Sequence, residues 1–215
     1  MQVCASVIVM DEIPTLHTAY GMKSDTDLDA LYRKWAHAYD MGFSEAQGYQ
    51  LPAVVARAFI AAGGAGPVLD VGAGTGLLGE HLAAAGVTDI DGVDLSGVML
   101  SVARSKQIYR DLYTGSVNVQ LNLPDYAGFV SAGAFTLGHV GPQAIGNLLA
   151  IASKGANFVI SVNTVHYADA GFAAYFDGLG AAIAGLTLVK CRIYDDRADA
   201  DHRDDTAFIV TFTKA

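Results

Sequence analysis

Apolar positions along this chain recur in two rhythms. Mainly apolar runs of four to six residues, such as Val68 to Val71 and Phe158 to Val162, read as strands covered on both faces. Between them, apolar residues return every three or four positions, as in Phe172, Tyr175, Phe176 and Leu179, which marks one face of a helix. The pattern predicts strands over 67–71, 90–94, 112–117, 127–132, 157–162, 186–194 and 206–213. It predicts helices over 76–85, 97–105, 142–153 and 168–184. Strands that alternate with helices imply a parallel sheet between two helical layers. The last two strands have only a loop between them, so they form an antiparallel hairpin. The expected fold class is therefore α/β: a three-layer sandwich around a seven-stranded, mostly parallel sheet.

Ahead of this repeating part, Asp25, Asp27 and Asp29 suit a helix start. The stretch Leu28 to Tyr39 then carries Leu31, Trp35 and Tyr39 on one face. A second helix is predicted over 51–62, with Pro52 in its first turn and Gly63-Gly64 as its stop. Residues 1–27 read as an N-terminal extension and 28–215 as one domain. A chain of 215 residues is long enough to bury one full α/β core.

Charge narrows the function. There are 13 basic and 22 acidic side chains, a net charge of −9, which disfavours DNA or RNA as a partner. Arg104, Lys106 and Arg110 read as a solvated helix face. Cys4 and Cys191 lie far apart and make neither a disulfide framework nor a zinc site, as expected in a reducing, cytoplasmic setting. Residues 1–10 lack a basic leader and a cleavage pattern, and no window reads as a membrane span. The acidic stretch 195–205 lacks the glycine and closing glutamate of a calcium loop and reads as a solvated hairpin tip. No metal site is expected.

The chemistry concentrates at Val68-Leu69-Asp70-Val71-Gly72-Ala73-Gly74-Thr75-Gly76: a strand, an acid, then glycines at alternate positions before a helix. Glycines here let the backbone turn tightly and approach a ligand closely. Asp94 ends the next strand, where a carboxylate can accept both hydroxyls of a ribose. Gly74 to Gly79 also satisfies GxGxxG, which NAD-binding proteins share. Two residue patterns separate the readings. Asp70, ahead of the glycines, can face an ammonium group, and no Tyr-x-x-x-Lys pair occurs for a short-chain dehydrogenase. The run Gly92 to Leu100, then Ala103, follows the wording of class I methyltransferases.

With these motifs, the chain resembles the class I S-adenosylmethionine-dependent methyltransferases, whose domain is Rossmann-like. Within them it resembles the small soluble group around the ubiquinone-biosynthesis and Williams–Beuren-region methyltransferase-like proteins. The pieces that carry the resemblance are residues 35–40, 68–76, 92–106 and 133–142. It implies S-adenosylmethionine as cofactor, with S-adenosylhomocysteine as product. Asp70, Gly72, Ala73, Gly74 and Gly76 would surround the methionine part. Asp94 would bind the ribose, and Leu95 and Met99 would pack on adenine. Ser116 and Val117 stand where the family places an acid followed by an apolar residue. Ser131 and Ala132 would touch the cofactor through their backbone, and Tyr39 would close over it.

Methyl transfer is an in-line displacement that mainly needs alignment and exclusion of water. A base is needed only if the acceptor must lose a proton. His139, just after the fourth sheet strand, is the candidate base. Trp35, Asn163 and His166 are candidates for the acceptor pocket. No Asn/Asp-Pro-Pro-aromatic motif follows that strand, which speaks against amino methylation of adenine or glutamine. No Pro-Cys pair exists for cytosine C5 chemistry, and the nearby loops lack the acids that a magnesium-dependent catechol-type site needs. The expected activity is methylation of a small molecule. A non-catalytic cofactor-binding protein on the same fold and an NAD(P)-dependent oxidoreductase stay as alternatives, and the oligomeric state stays open.

Overall fold

A computed structural model describes residues 47–215. The extension 1–27, the predicted helix 28–39 and, with it, Trp35 and Tyr39 lie outside the described residues.

The chain enters through helix α1 (Leu51–Ala61) and then alternates. Strand β1 (Val68–Val71) leads to α2 (Leu77–Ala84), β2 (Ile90–Asp94) to α3 (Gly97–Ser105), and β3 (Leu112–Thr114) runs on to β4 (Tyr126–Phe135). Helix α4 (Gln143–Ala150), β5 (Ala152–Asn163), and helices α5 (Thr164–Asp169) and α6 (Phe172–Leu179) follow. The hairpin of β6 (Ile183–Arg192) and β7 (Thr206–Lys214) closes the chain. Together the strands form one seven-stranded sheet in the order β3-β2-β1-β4-β5-β7-β6. Strands β1 to β5 are parallel, and β7 is antiparallel to both β5 and β6. The expected fold class holds, with helices on both faces of the sheet.

The order reverses between β1 and β4: the chain steps outward through β2 and β3, then returns to pair β4 with β1. At such a switch point the loops leaving adjacent strands diverge and open a crevice at the carboxyl edge.

Side-chain alternation divides the core into two layers. Leu69, Phe129, Phe158 and Phe212 point to one face, where α4 and α6 cover them with Ile145, Leu148, Phe172 and Phe176. Val68, Val130, Val159 and Ile209 point to the other, under Val55 and Phe59 of α1 and Leu78 and Leu82 of α2. On the first face, Phe129, Phe158 and Phe212 are cross-strand partners. Their rings stack at 4.4 and 4.5 Å between centroids, so aromatic contact pins the register of β4, β5 and β7.

The predicted helix 168–184 is two helices instead. Asn163 ends β5 and accepts from the N–H groups of Val165 and His166, which starts α5 four residues early. Gly171, at φ +78°, then breaks the helix by taking the left-handed conformation. Helix 142–153 stops at Ala150, because Ala152 already pairs with Tyr126. The third strand is only Leu112–Thr114, shorter than 112–117.

Among the described residues no helix is long and apolar enough to cross a membrane. Replacing Phe158 by Ala removes the middle ring of the stack, and denaturant unfolding should show a loss of about 3–5 kcal/mol.

Candidate active site

The crevice at the switch point is a cleft lined by the β1–α2 loop, the ends of β2 and β4, and residues 115–118. Tyr49, Leu51, Pro52, Ile193 and Tyr194 line it from outside the parallel strands. Of the residues singled out in the sequence, Gly72, Ala73, Gly74, Asp94, Leu95, Met99, Ser116, Val117, Ala132, His139 and Asn163 all meet here.

Asp94 ties two walls of the cleft together. Its Oδ2 accepts from the Gly74 N–H at 2.8 Å and its Oδ1 from the Ser96 N–H at 2.8 Å. The first bond holds the glycine loop against β2; the second begins α3, whose N-cap is the Ser96 side chain. A carboxylate offers roughly four acceptor positions, so this one keeps capacity for hydroxyl donors in the cleft.

The glycines do separate jobs. Gly72, at φ +70°, lies against Ala134; an added Cβ would come within 2.6 Å of the Ala134 Cβ. This contact lets the ends of β1 and β4 approach. Gly74, at φ +54°, faces open space, and a Cβ there would meet only the Met99 methyl at 3.9 Å. Gly76 caps α2 but does not line the cleft; a Cβ there would lie 3.0 Å from the Tyr109 ring.

Three other expected contacts turn away from the cleft. Asp70 is fully buried beside α2, because it alternates with Leu69 and Val71 and so points to the opposite face. It accepts from the Tyr109 hydroxyl at 2.7 Å on Oδ2, while Oδ1 has no hydrogen-bond partner. Burial pushes its pKa up to about 7; the Tyr109 bond opposes the rise and the charge of Asp94 adds to it. Ser131 is likewise buried, with its hydroxyl donating to the Val71 carbonyl at 2.7 Å. His166 does not reach the acceptor pocket: its Nε2 lies 2.9 Å from the Val140 carbonyl and its ring sits edge-on to Phe172.

Ser116 and Asn118 form a short turn at the adjoining wall, with the Asn118 N–H donating to Ser116 Oγ at 3.3 Å. Val117 is buried, and its carbonyl accepts from Asn147 on α4 at 3.0 Å. On the opposite wall, Ser161 of β5 accepts from the Gly133 N–H at 2.9 Å. The His139 N–H donates to the Thr136 carbonyl at 3.1 Å, which holds His139 on the cleft beside Thr136 and Asn163. Sequence reasoning missed Tyr49, Thr136, Ser161 and Tyr194. Tyr49, Ser161 and Tyr194 join the site through strand pairing and carry no local motif, whereas Thr136 lies in the 133–142 segment just after β4.

A family described as methyltransferase domain matches residues 68–154. Those residues run from β1 to the start of β5 and contain both the glycine loop and Asp94. The fold is shared widely. A TehB-like S-adenosylmethionine-dependent methyltransferase from Corynebacterium glutamicum is 21% identical, with a TM-score of 0.62; the match covers 86% of this chain and 99% of that one. Magnesium protoporphyrin IX methyltransferase from Synechocystis, solved with bound S-adenosylmethionine, is 18% identical with a TM-score of 0.59, over 91% and 99%. At these identities the likeness is one of fold. No curated protein matches the chain. The domain match decides for methyl transfer over hydride transfer.

Asp70 gives the fold a pH signature. Its pKa, raised from 3.8 to about 7, supplies a stability contribution fully present below pH ~4 and lost as the pH rises through about 7, on the order of 4 kcal/mol in total. The protein should therefore melt at a higher temperature at pH 5.5 than at pH 8. Asp70→Asn should flatten that difference; an undiminished slope in the variant would remove Asp70 as its source.

Proposed function

We propose that the protein transfers the methyl group of S-adenosylmethionine to a small-molecule acceptor, with His139 as the base when the acceptor carries a proton. The methyl donor is S-adenosylmethionine. The observation that carries the reading is the Asp94 carboxylate, bonded to the Gly74 N–H across the mouth of the switch-point cleft.

The residues present fit this cofactor. Gly74 leaves an open cradle where any side chain would intrude. Asp94 has acceptor capacity for the two ribose hydroxyls. Leu95, Met99 and Val117 offer an apolar slot for the adenine, and Ser116 supplies a hydroxyl at its edge. Gly72, Ala73 and Ala132 would border the methionine part from the ends of β1 and β4. S-adenosylmethionine supplies a methyl group activated by a positive sulfonium.

What the chain itself does is hold, orient and dry the site. Asp94 fixes the glycine loop before any ligand arrives, so little ordering remains to be done on binding. His139 stands at the carboxyl edge of the sheet on the cleft wall, where its imidazole can take a proton from an acceptor hydroxyl or amine. Asn163 lines the same wall, its side chain oriented by the bonds that start α5. A small acceptor is favoured by the net charge of −9, which repels polyanions. The Synechocystis relative is named for a porphyrin, itself a small molecule, which supports the same class. Residues 35–40 and 133–142 support placement in the ubiquinone-biosynthesis and Williams–Beuren-region group.

Calorimetric titration with S-adenosylhomocysteine, and NADH in parallel, tests the donor site. Binding of the first and not the second is expected; the reverse would overturn the assignment. Asp94→Ala should weaken S-adenosylhomocysteine by roughly 1.5–3 kcal/mol, the scale of a charge-assisted hydrogen bond, and unchanged affinity would sink the ribose role. His139→Ala should lower turnover by roughly 100-fold or more, the scale of general-base catalysis, with donor affinity kept. If turnover persists at neutral pH, His139 is not the base.

A further inference from the structure

We infer that the acceptor end of this cleft is an uncharged aromatic slot in which Tyr49 and Tyr194 select flat, neutral ring compounds. This deepens the methyltransferase reading and rests on it.

The donor cradle spans Asp94, Met99 and the glycine loop. Past it, the cleft continues beyond Gly133 at the end of β4. There the Tyr49 hydroxyl stands directly over Gly133, whose φ of +88° and lack of a side chain allow the approach. A Cβ at Gly133 would collide with the Tyr49 oxygen. Tyr194 continues the aromatic surface, its ring centroid 5.7 Å from that of Tyr49 and inclined by 41°.

This pair is held by backbone and not by chance packing. Tyr49 and Tyr194 are bridge partners. The Gln50 N–H donates to the Ile193 carbonyl at 2.9 Å and the Asp195 N–H to the Gly48 carbonyl at 2.9 Å. The last residues before α1 are thus laced to the end of β6, and Tyr194 is only 3% exposed. Thr136, His139 and Asn163 line the same end of the cleft.

Charge is missing from this end. Among the described residues that line the cleft, Asp94 is the sole Asp, Glu, Lys or Arg, and it belongs to the donor cradle. The charged groups nearest to Tyr194 in the chain lie on the β6–β7 hairpin and pair with each other. Asp195 takes both a backbone and a guanidinium bond from Arg197, which bring its pKa down to about 2. Arg192 pairs with Asp196 at 2.9 Å. An ionic acceptor entering this slot would leave water without meeting an opposite charge on the described residues, which costs several kcal/mol per ion. A neutral ring loses little on desolvation and gains apolar contact with the two tyrosines.

Three probes that share one ring system and differ in charge test the inference: 2-naphthol, 2-naphthoate and 2-naphthylmethylamine. Each is titrated by calorimetry into the full chain saturated with S-adenosylhomocysteine. Binding of 2-naphthol about tenfold tighter than either ion is expected. Tyr194→Leu should abolish that preference or weaken 2-naphthol by about tenfold, the upper range of an aromatic contact, while Tyr194→Phe keeps it. Affinity for S-adenosylhomocysteine should stay unchanged in both variants. An ion that binds as tightly as 2-naphthol overturns the inference, as does absence of 2-naphthol binding to a protein that still takes S-adenosylhomocysteine. Failure of S-adenosylhomocysteine itself to bind is a separate result and would remove the methyltransferase reading beneath it.

Discussion

A parallel sheet brings several strand ends to one edge, and each end carries backbone N–H groups that need acceptors. Asp94 answers that need at the point where β1 and β2 end together. One carboxylate takes the Gly74 and Ser96 N–H groups, so the glycine loop, the end of β2 and the start of α3 keep a fixed relation. The cleft depends on that relation. Without it, the glycine loop would not be tied to β2, and the Met99 side of the slot would lose its opposite wall. The same carboxylate that organises the loop also lines the cleft, which ties architecture and cleft together at a single side chain.

Two neighbouring buried acids show how strand parity divides structural from functional roles. Asp91 of β2 is held by Arg110 through two bonds, by the Tyr126 hydroxyl and by the Asp111 N–H. Burial alone would raise its pKa, but those donors prevail and lower it. Asp70, on the adjacent strand, has one hydroxyl donor and one oxygen without a partner, and burial wins. Asp91 therefore locks the sheet as an ion, while Asp70 favours its protonated form under α2. Asp70 and Asp94 look alike in the sequence, both at strand ends beside glycines, yet only Asp94 reaches the cleft.

Most of the architecture was legible before the structure. A nearly continuous apolar run located β5, because a strand covered on both faces has little polar side to interrupt it, while β1 and β2 were found by short apolar stretches that carry the acids Asp70, Asp91 and Asp94. The alternation with helical spacing implied the parallel sheet, and the loop-only connection implied the hairpin. Where the reading failed, the local signal was weaker than a tertiary one. Residues 168–184 have helical spacing throughout, but Gly171 accepts a left-handed turn that periodicity does not register. His166 follows β5 as a site residue would, yet Phe172 and the Val140 carbonyl capture its ring.

By itself, the sequence determined the fold class, the glycine loop, Asp94 and most of the residues that line the cleft beside them, since these are set by neighbours within a few positions. Only the tertiary structure decided which side of β1 Asp70 faces, and that Tyr49 and Tyr194, 145 positions apart by their residue numbers, line one cleft together. The physical reason is pairing. The glycine loop with Asp94 is built from one strand–turn–helix and its nearest strand, whereas the tyrosine pair needs the entry of α1 to be hydrogen-bonded to the end of β6. No spacing along the chain encodes that contact.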